Sequence, residues 1–491
     1  MRHTISFAIS LLFAWLPPVV VLADHAPTLV VMNNSSQHES NTQNTWIRKT
    51  PIIPDSRVTF MQAVKLGYIE KVKHYLESGI NPDDKQGGKY TALFAASAKG
   101  RLKVAELLLA SGADVNAIGR GNWTPLMAAA FHGHVSLVKL LLKHKSMLEI
   151  KNYEGKTALM FAVENNQPPV VAALIDAGAN INAQIHGEKS NGLSVLELAI
   201  KHGSQDCLDL LLKAGVNVHR VDMDGITPLV YAARVNNQDA IEKLLNKGAR
   251  INRIDKESGN GLLHAVAPFV NQETIRFLLE KGAEPSMINK HGHVALALAS
   301  KAGNVSAMRE LLLVAKQEEK NAALLLSAEA GVTDILKELI TRGADKNSRN
   351  QHQETALMLA VQGRHHFAVG ALLEFGAEVN LLNNSGRNAL MYAVDASLHR
   401  PDIVEKLIER GAAINQRDKQ GNTALLLAVG GTEKLNAGTI KVLVEAGADV
   451  EIKNEAGDSV RSLLLEHRKR LSMNSEALAK IDKVGKVFSE M

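Results

Sequence analysis

Short apolar stripes at helical spacing alternate with polar, glycine-containing turns along most of this 491-residue chain. In the stretch that begins at residue 124, three alanines at 128–130 are followed by the turn His132-Gly133 and then by an apolar stripe. The stripe residues recur at three- to four-residue spacing and comprise Val135, Val138, Leu141 and Leu142. Such a stripe lies on one face of a helix, and one pair of short helices cannot cover it alone. The pattern therefore predicts helix pairs that stack on their neighbours.

Two sequence markers recur in the same phase, about every 33 to 37 residues, which is the signature of a repeat array. The first, typified by Gly112-Ala113-Asp114, is found at Gly79, Gly112, Lys145, Gly178, Gly215, Gly248, Gly282, Gly343, Gly376, Gly411 and Gly447. The second, typified by Thr124-Pro125-Leu126, is found at Thr91, Thr124, Thr157, Ser194, Thr227, Thr355 and Thr423, with weaker copies at Val294, Ala322 and Asn388. The wide interval from Gly282 to Gly343 fits two shortened repeats, with the marker degraded near Ala315.

The residue types at these markers predict where each helix begins and ends. Thr or Ser suits a helix N-cap, because its oxygen accepts an otherwise unpaired main-chain N–H, and Pro125 and Pro228 then occupy the first helical position. Glycines at the turns supply positive φ angles, and Asn166 and Asn236 replace glycine there because Asn tolerates the left-handed region. Each repeat is therefore expected to hold two helices and a projecting turn.

The second marker resembles the T-P-L-H-x-A signature of ankyrin repeats, and residues 124–142 (TPLMAAAFHGHVSLVKLLL) are similar to the longer ankyrin pattern. The resemblance covers residues 56–465. It implies an all-α fold, an ankyrin-repeat solenoid of about 11 to 13 helix-turn-helix repeats with projecting β-turn fingers. It also implies that the fingers and the exposed side of the first helices form a concave surface for protein partners.

The remaining segments differ in composition from the repeats. Residues 1–23 combine Arg2, an apolar run and a small-residue site ending at Ala23, which predicts a secretory signal peptide; an uncleaved anchor is the alternative. Residues 24–55 are rich in polar residues and proline, which is typical of a flexible linker. Residues 56–87 are expected to form an N-terminal capping repeat, and residues 466–491 a C-terminal capping helix or tail. We therefore expect an exported protein, periplasmic or secreted, with no membrane span once the signal is cleaved.

Several repeats depart from the regular pattern. The finger before Ser194 carries four additional residues and includes His186-Gly187-Glu188-Lys189-Ser190. The finger at residues 314–321 (VAKQEEKN) is almost missing, which would interrupt the row of fingers and could bend the array or open a notch. Further insertions fall near Arg400-Pro401 and Gly430-Gly431. Neutral variation in loop length is the alternative explanation in each case.

The sequence gives little support for chemistry. Gly155-Lys156-Thr157 lacks the earlier glycine of a phosphate-binding loop, since position 150 is Ile. The His132–His134 and His291–His293 pairs fall at repeat and finger positions, His365-His366 at a solvated turn, and His264 at the signature histidine of the resembled family. Cys207, the only cysteine, falls on an apolar helix position and is expected to be an inert buried thiol. No catalytic, cofactor-binding or metal-binding residue is predicted, and an enzyme is not expected.

The function expected from these observations is an exported scaffold that binds one or more protein partners; a secreted effector or inhibitor acting on host-cell proteins is the alternative. A net charge of +5 over 491 residues and only 4% aromatic residues do not indicate nucleic-acid binding. A basic tendency along the fingers suggests an acidic partner, and a monomer is expected. Candidate partner-binding residues on the fingers are Arg120, Trp123, Lys151, Tyr153, Arg220 and Arg253. Candidates on the first helices are Phe131, Lys201, Arg234 and Phe269.

Overall fold

The computed structural model describes residues 58–85, 88–185, 192–222, 224–394, 401–430 and 436–470. The chain divides into two units, residues 1–54 and residues 55–491, and the described residues all belong to the second. The predicted signal peptide, the predicted linker, the insertions at 186–190, Arg400 and Gly431 and the tail beyond residue 470 therefore lie outside the described residues.

The described residues form helix pairs in a regular order. The first helices of the pairs are α1 (Phe60–Leu66), α3 (Ala92–Ala98), α5 (Pro125–Phe131), α7 (Ala158–Glu164), α9 (Val195–Lys201), α11 (Pro228–Arg234), α13 (Leu262–Val266), α15 (Ala295–Lys301), α17 (Gln317–Ala330), α19 (Ala356–Gln362), α21 (Ala389–Ala393) and α23 (Ala424–Gly430). The second helices are α2 (Ile69–Glu77), α4 (Leu102–Ala110), α6 (Val135–Lys143), α8 (Pro168–Asp176), α10 (Gln205–Lys213), α12 (Gln238–Asn246), α14 (Gln272–Glu280), α16 (Val305–Leu313), α18 (Thr333–Thr341), α20 (His366–Glu374), α22 (Pro401–Glu409) and α24 (Ala437–Glu445). A single helix, α25 (Val460–Arg470), follows the last pair and crosses the boundary predicted at residue 465.

Each repeat packs against the next and shares one continuous core with it. Every first helix contacts the first helix of the following repeat, and α23 contacts α25. The apolar stripe of α6 shows why, because Leu137, Val138 and Leu141 are fully buried although α6 itself is only nine residues long. The burial comes from the neighbouring helices α4 and α8. The predicted all-α repeat solenoid is confirmed.

The predicted helix starts are confirmed at most markers. The side-chain oxygen of the N-cap residue accepts the N–H of the residue three positions later at Thr91, Thr124, Thr157, Ser194, Thr227, Thr355 and Asn388. The predicted left-handed asparagines are also found, since the φ angles of Asn166 and Asn236 are +49° and +55°. Glycine is favoured at the turn residue Gly133, whose φ angle is +74°.

Side chains in the fingers hold successive repeats in register. Asn116 Oδ1 accepts the main-chain N–H of Met147 at 2.8 Å, and Asn380 Oδ1 accepts that of Ala413 at 2.7 Å. Further bonds of this kind join Asn182 to Asn217, Asn252 to Glu284, Asn347 to Glu378 and Asn415 to Asp449. The acceptor is thus an asparagine in most fingers. This hydrogen bond explains why the second residue after the Gly-Ala-Asp marker, such as Asn116, is polar.

The finger predicted to be missing is replaced by additional helix. α16 ends at Leu313, α17 begins at Gln317, and α17 is 14 residues long where α15 and α19 have seven. Ala322 therefore lies inside α17, so the prediction of a helix start at this weak marker is wrong. The segment continues as helix because Glu318 and Glu319 favour the first turn and the Glu319 carboxylate accepts the Lys316 N–H at 3.1 Å.

Candidate protein-binding surface

The fingers are joined at their tips by main-chain hydrogen bonds. The Arg120 N–H donates to Lys89 O at 2.9 Å, and the Tyr153 N–H donates to Gly121 O at 2.9 Å. The same bond joins Lys290 to Ser258, Asn384 to His352, Lys419 to Ser385 and Glu455 to Gln420. These bonds fix the spacing of neighbouring fingers, so side chains at the tips are presented at defined positions.

Two of the predicted residues, Trp123 and Phe131, belong to an aromatic cluster. The Trp123 ring lies 4.3 Å from the Phe161 ring and 5.8 Å from the Phe131 ring, and Phe94 approaches it edge-on at 6.5 Å. Both Trp123 and Phe131 are half-buried and pack on the main core. They therefore stabilise three consecutive repeats and offer only part of their surface to a partner.

The neighbouring fingers expose Arg120 and Tyr153. Arg120 opens a short 3-10 turn, Arg120–Asn122, and is exposed, and the Tyr153 side chain is 84% exposed. Lys151 lies between them in sequence and is half-buried, and its Nζ donates to the Gln184 carbonyl at 3.1 Å. Arg120 and Tyr153 are thus available to a partner, whereas Lys151 is held by the next repeat.

Arg220 is buried rather than presented on its finger. Its Nη1 lies 2.8 Å from Glu197 Oε2, with the two side chains 9% and 3% exposed, and its Nη2 donates to the Gly192 carbonyl. The Glu197 carboxylate also accepts the Ser194 N–H at the start of α9. Arg220 therefore neutralises a buried acid in the preceding repeat and is not part of the exposed surface. Lys201, at the end of α9, is exposed.

Three predicted residues, Arg234, Arg253 and Phe269, line one cleft between two fingers. The cleft has a volume of about 210 Å³ and lies between the finger residues 224–226 and the finger at 253–260. The Arg234 guanidinium lies 5.5 Å from the Phe269 ring centre, and its Nε donates to the Ala265 carbonyl at 3.2 Å. Phe269 follows the end of α13 at Val266, so its prediction as a first-helix residue is wrong. Its side chain is nonetheless 68% exposed at the mouth of the cleft.

The charge of this cleft is mixed with an excess of arginine. Arg250 also lines it, together with Asp224 and Asp255. Partial burial lowers the pKa of the Arg234 guanidinium, which stays charged because arginine does not lose its proton in proteins. Hydrogen bonds from Ser258 lower the pKa of the Asp255 carboxyl, so this acid is ionised at neutral pH. The cleft thus combines a stacked arginine with an exposed aromatic ring, the residue types enriched at protein interfaces.

The histidines and the cysteine have structural surroundings. His264 is buried, its Nδ1 accepts the Gly261 N–H at 3.2 Å, and its Nε2 lies 2.9 Å from the His293 carbonyl. His365 was expected in a solvated turn, but its Nε2 lies 3.0 Å from the Glu329 carbonyl of the preceding repeat, as His134 Nε2 lies 3.4 Å from Ala98 O. Cys207 is buried, and burial raises the pKa of its thiol. These groups join repeats or fill the core.

Lys156, of the Gly-Lys-Thr sequence, is also structural. Its Nζ lies 2.9 Å from the Glu164 carboxylate and 3.1 Å from that of Glu154, while Thr157 caps α7. In the part of the chain that the structure describes, no group of three or more His, Cys, Asp or Glu side chains is placed to hold a metal ion. None of the helices among these same residues has the length and apolar character needed to cross a bilayer.

Comparison with known protein families assigns the repeats. The family model for ankyrin repeats in three copies matches residues 60–150, 118–185, 183–255 and 324–418, and the single-repeat model matches residues 420–455. The chain belongs to the ankyrin-repeat family. Ankyrin repeats are modules that bind protein partners, so the family indicates a binding scaffold.

Individual relatives match only parts of this ankyrin chain. A homologue of transient receptor potential cation channel subfamily A member 1 from Caenorhabditis elegans is 35% identical over 108 residues, 21% of this chain and 9% of the relative. The B-cell lymphoma 3 protein homologue of Mus musculus is 26% identical over 223 residues, 44% of this chain and 42% of the relative. The chain thus spans less than half the length of either relative. The crystal structure of the human ASB11 ankyrin repeat domain is 30% identical, with a TM-score of 0.40, and covers 46% of this chain and 97% of that domain.

The ankyrin array also contains a second recess, whose lining residues were not predicted from the sequence. It has a volume of about 640 Å³ and lies where α17 replaces a finger. Its lining comes from the finger at 291–293, from α17 and from the finger at 345–352. The nearly absent finger at 314–321 was the available signal, and of the two outcomes expected from it, a bend or a notch, a recess lies there. The residues that line it come from three consecutive repeats, so no pattern within one repeat marked them.

Proposed function

We propose that this chain is an exported ankyrin-repeat scaffold that binds one or more protein partners through the exposed part of its fingers and first helices. The observation that carries the proposal is the cleft in which Arg234, Arg253 and Phe269 meet. Three residues chosen for their interface chemistry lie together there, although they come from three different segments of two adjacent repeats. Arg120 and Tyr153 extend the surface onto earlier fingers.

The chemistry of the cleft favours an acidic partner segment. Two further arginines that line the cleft, Arg250 and Arg253, can pair with carboxylates in bidentate geometry, and the Arg234 guanidinium lies against the Phe269 ring. Asp224 and Asp255 reduce the positive charge but leave an excess of one. A side chain bearing a carboxylate next to an apolar group would satisfy both the arginines and the exposed ring.

Capture by cross-linking with the mature protein, in its native compartment, tests the surface. The variant Arg234→Ala/Arg253→Ala/Phe269→Ala is expected to lose most of the recovered partner, and Arg120→Ala/Tyr153→Ala a smaller part. The matched control is Lys103→Ala/Lys139→Ala/Phe367→Ala, which removes two cations and an exposed phenylalanine from second helices. Equal recovery by the cleft variant and the control would refute the proposed surface.

The export component rests on the N-terminal sequence, where Arg2, the apolar run and Ala23 form a signal-peptide pattern. Fractionation with N-terminal sequencing tests it, and we expect a mature chain that begins at Asp24. Mature protein retained in the cell envelope would indicate a resident periplasmic scaffold, and mature protein in the medium or in a host cell would indicate a secreted effector. An uncleaved chain in the cytoplasm would refute export.

A further inference from the structure

The recess at the missing finger, here called the notch, is defined by His291, His293, Glu318, Ala322, Ser348 and His352. Its volume of about 640 Å³ is within the range of sites that enclose a small ligand or several side chains. Main-chain bonds join Lys290 to Ser258 on one side of it and Asn384 to His352 on the other. Because three residues, 314–316, separate α16 from α17, the finger that would fill this space is not formed.

The long helix α17 makes the hydrogen bonds between repeats that a finger would make. It does not provide the projecting surface of a finger. Asn321 Oδ1 accepts the Asp345 N–H at 2.8 Å, and Gln317 Nε2 donates to Gly343 O at 2.8 Å. A single asparagine makes both bonds in a regular finger, as Asn380 does with Gly411 O and the Ala413 N–H. The array therefore keeps its register across the notch, and the notch remains a stable, open feature of the surface.

The floor of the notch is apolar. Ala322 and Leu359 are half-buried, and Leu325 and Leu326 form the layer of α17 beneath them. The walls carry side chains with both donors and acceptors, among them His293 and Gln351. An aliphatic side chain of an inserted segment would contact the floor. The polar side chains of the walls would form hydrogen bonds with the main chain of the same segment.

The charge at the rim is negative. Glu318 and Asp345 are exposed, and neither carboxylate forms an ion pair with another residue that the structure describes. Glu329 is paired with Lys301 at 3.1 Å, and the one arginine among the lining residues, Arg349, donates to Gln353 at 3.2 Å. The lining thus has three acids against one arginine, so it complements a cation.

One buried polar group in the notch lacks a partner. The Ser348 hydroxyl belongs to a side chain that is 9% exposed, and it bonds to no other group in the described part of the chain. The equivalent position is apolar in some repeats, at Ala117, Ala183 and Leu381, and holds an arginine in two others, at Arg220 and Arg253. A buried hydroxyl without a partner lowers stability, and a group that bonds to it would remove this cost, so Ser348 is a candidate contact for an occupant of the notch.

We propose that the notch binds an extended segment of a protein partner in which a lysine or arginine flanks an aliphatic side chain. The aliphatic group contacts Ala322 and Leu359, the cation pairs with Glu318 and Asp345, and the Ser348 hydroxyl turns about its Cα–Cβ bond to meet the main chain of the segment. This inference rests on the proposed function in that the occupant comes from a protein partner. The notch prefers a cationic segment, whereas the Arg234 cleft prefers an acidic one.

The test is fluorescence anisotropy of labelled peptides, about ten residues long, added to the mature full-length chain. Three peptides are compared: alternating lysine and valine, alternating glutamate and valine, and alternating lysine and serine. Only the lysine–valine peptide is expected to bind, because the other two lack either the cation or the aliphatic group. Equal binding of the glutamate–valine or lysine–serine peptide would overturn the proposal.

Variants locate the binding site. Glu318→Lys/Asp345→Asn is expected to weaken binding about tenfold, since it removes the complementary charges and keeps an acceptor at position 345. The control Glu106→Lys/Asp176→Asn makes the same changes at exposed residues of α4 and α8, and its affinity should stay within about twofold of the unmodified chain. Equal effects of the two double variants would overturn the proposal.

Ser348→Ala separates a binding role from a structural one. We expect it to weaken peptide binding about threefold without lowering the melting temperature, because the hydroxyl has no partner in the free chain. A lower melting temperature with unchanged affinity would refute its role. Loss of peptide binding as protein concentration rises would indicate a second copy of the chain in the notch and overturn the proposal.

The Arg234→Ala/Arg253→Ala/Phe269→Ala variant distinguishes the two hypotheses. It should bind the lysine–valine peptide like the unmodified chain. Failure of peptide binding with partner capture intact would overturn the notch alone, whereas failure of capture with peptide binding intact would refute only the Arg234 cleft.

Discussion

The same position of the repeat, at a fixed distance after the marker glycine, holds side chains with very different surroundings. Ala183 is buried in the core, Arg220 is paired with Glu197, Arg253 lines the cleft, and Ser348 has no partner among the described residues. The position is close to the packed first helices, so a polar residue there needs a local partner or a ligand. Whether the side chain is buried, paired or exposed to a cleft depends on its neighbouring residues and not on the repeat pattern.

At this scale we predict that Arg220→Met lowers the free energy of unfolding by about 3 to 5 kcal/mol, because it leaves the Glu197 carboxylate buried without a counter-charge. Chemical denaturation monitored by circular dichroism measures the change. Arg253→Met makes the same substitution at the equivalent position, where the side chain lines an open cleft, and should cost less than about 1 kcal/mol. Glu197→Gln/Arg220→Met should recover part of the loss, and equal destabilisation by the two single variants would contradict the assignment.

Elements of this array are interchangeable in packing when they supply the same hydrogen bonds. α17 replaces a finger with two additional helical turns, yet Asn321 reproduces the bond that Asn116, Asn252 and Asn347 make from fingers. The exchange leaves the register of the repeats unchanged but removes a projecting turn. The notch is therefore a consequence of replacing one element, with the rest of the repeat unchanged.

For this element we predict that Asn321→Ala lowers the free energy of unfolding by about 1 kcal/mol, because the Asp345 N–H loses its acceptor. Asn380→Ala, in a regular finger, removes the equivalent acceptor and also the donor to Gly411 O, so it should cost at least as much. Urea denaturation compares them, with the exposed Gln351→Ala as the neutral control. If Asn321→Ala left the free energy of unfolding unchanged while Asn380→Ala lowered it, the hydrogen bond from α17 would contribute nothing to stability.

Each repeat of the array packs mainly on its two neighbours, and this arrangement determines how far the effect of a destabilising substitution extends. The main contacts of each repeat are with the repeats before and after it, and the buried apolar residues form one cluster from Phe60 to Val460. In such an array the stability is close to a sum of repeat and interface contributions. A defect is therefore expected to weaken nearby repeats more than distant ones.

Leu141→Ala tests this expectation, because Leu141 is fully buried between α4 and α8. We predict a loss of about 2 to 5 kcal/mol from lost burial and a new cavity. Hydrogen exchange should show faster exchange in α4, α6 and α8 and unchanged exchange in α22 and α24. Uniform acceleration over the array would show that it unfolds as one cooperative unit and contradict the local picture.

Much of the fold and part of the surface were predictable from the residues. The caps at Thr124 and Thr157 and the stripe containing Leu141 appear where the pattern placed them, because capping and helical periodicity are local properties. Ala322 was misread as a helix start because its marker is weak and Glu318 and Glu319 favour an earlier start. Arg220 was misread as exposed because its partner, Glu197, lies in another element.

The sequence alone determined the repeat architecture, the family and the gap in the row of fingers, because each depends on periodicity and on residue types within one repeat. Only the tertiary structure decided which polar side chains are free. It buried Arg220, placed Arg253 and Phe269 along one cleft and left the Ser348 hydroxyl without a partner among the described residues. The physical reason is that exposure and pairing depend on the residue that the adjacent repeat places within about 4.5 Å, and the repeat pattern does not specify that residue.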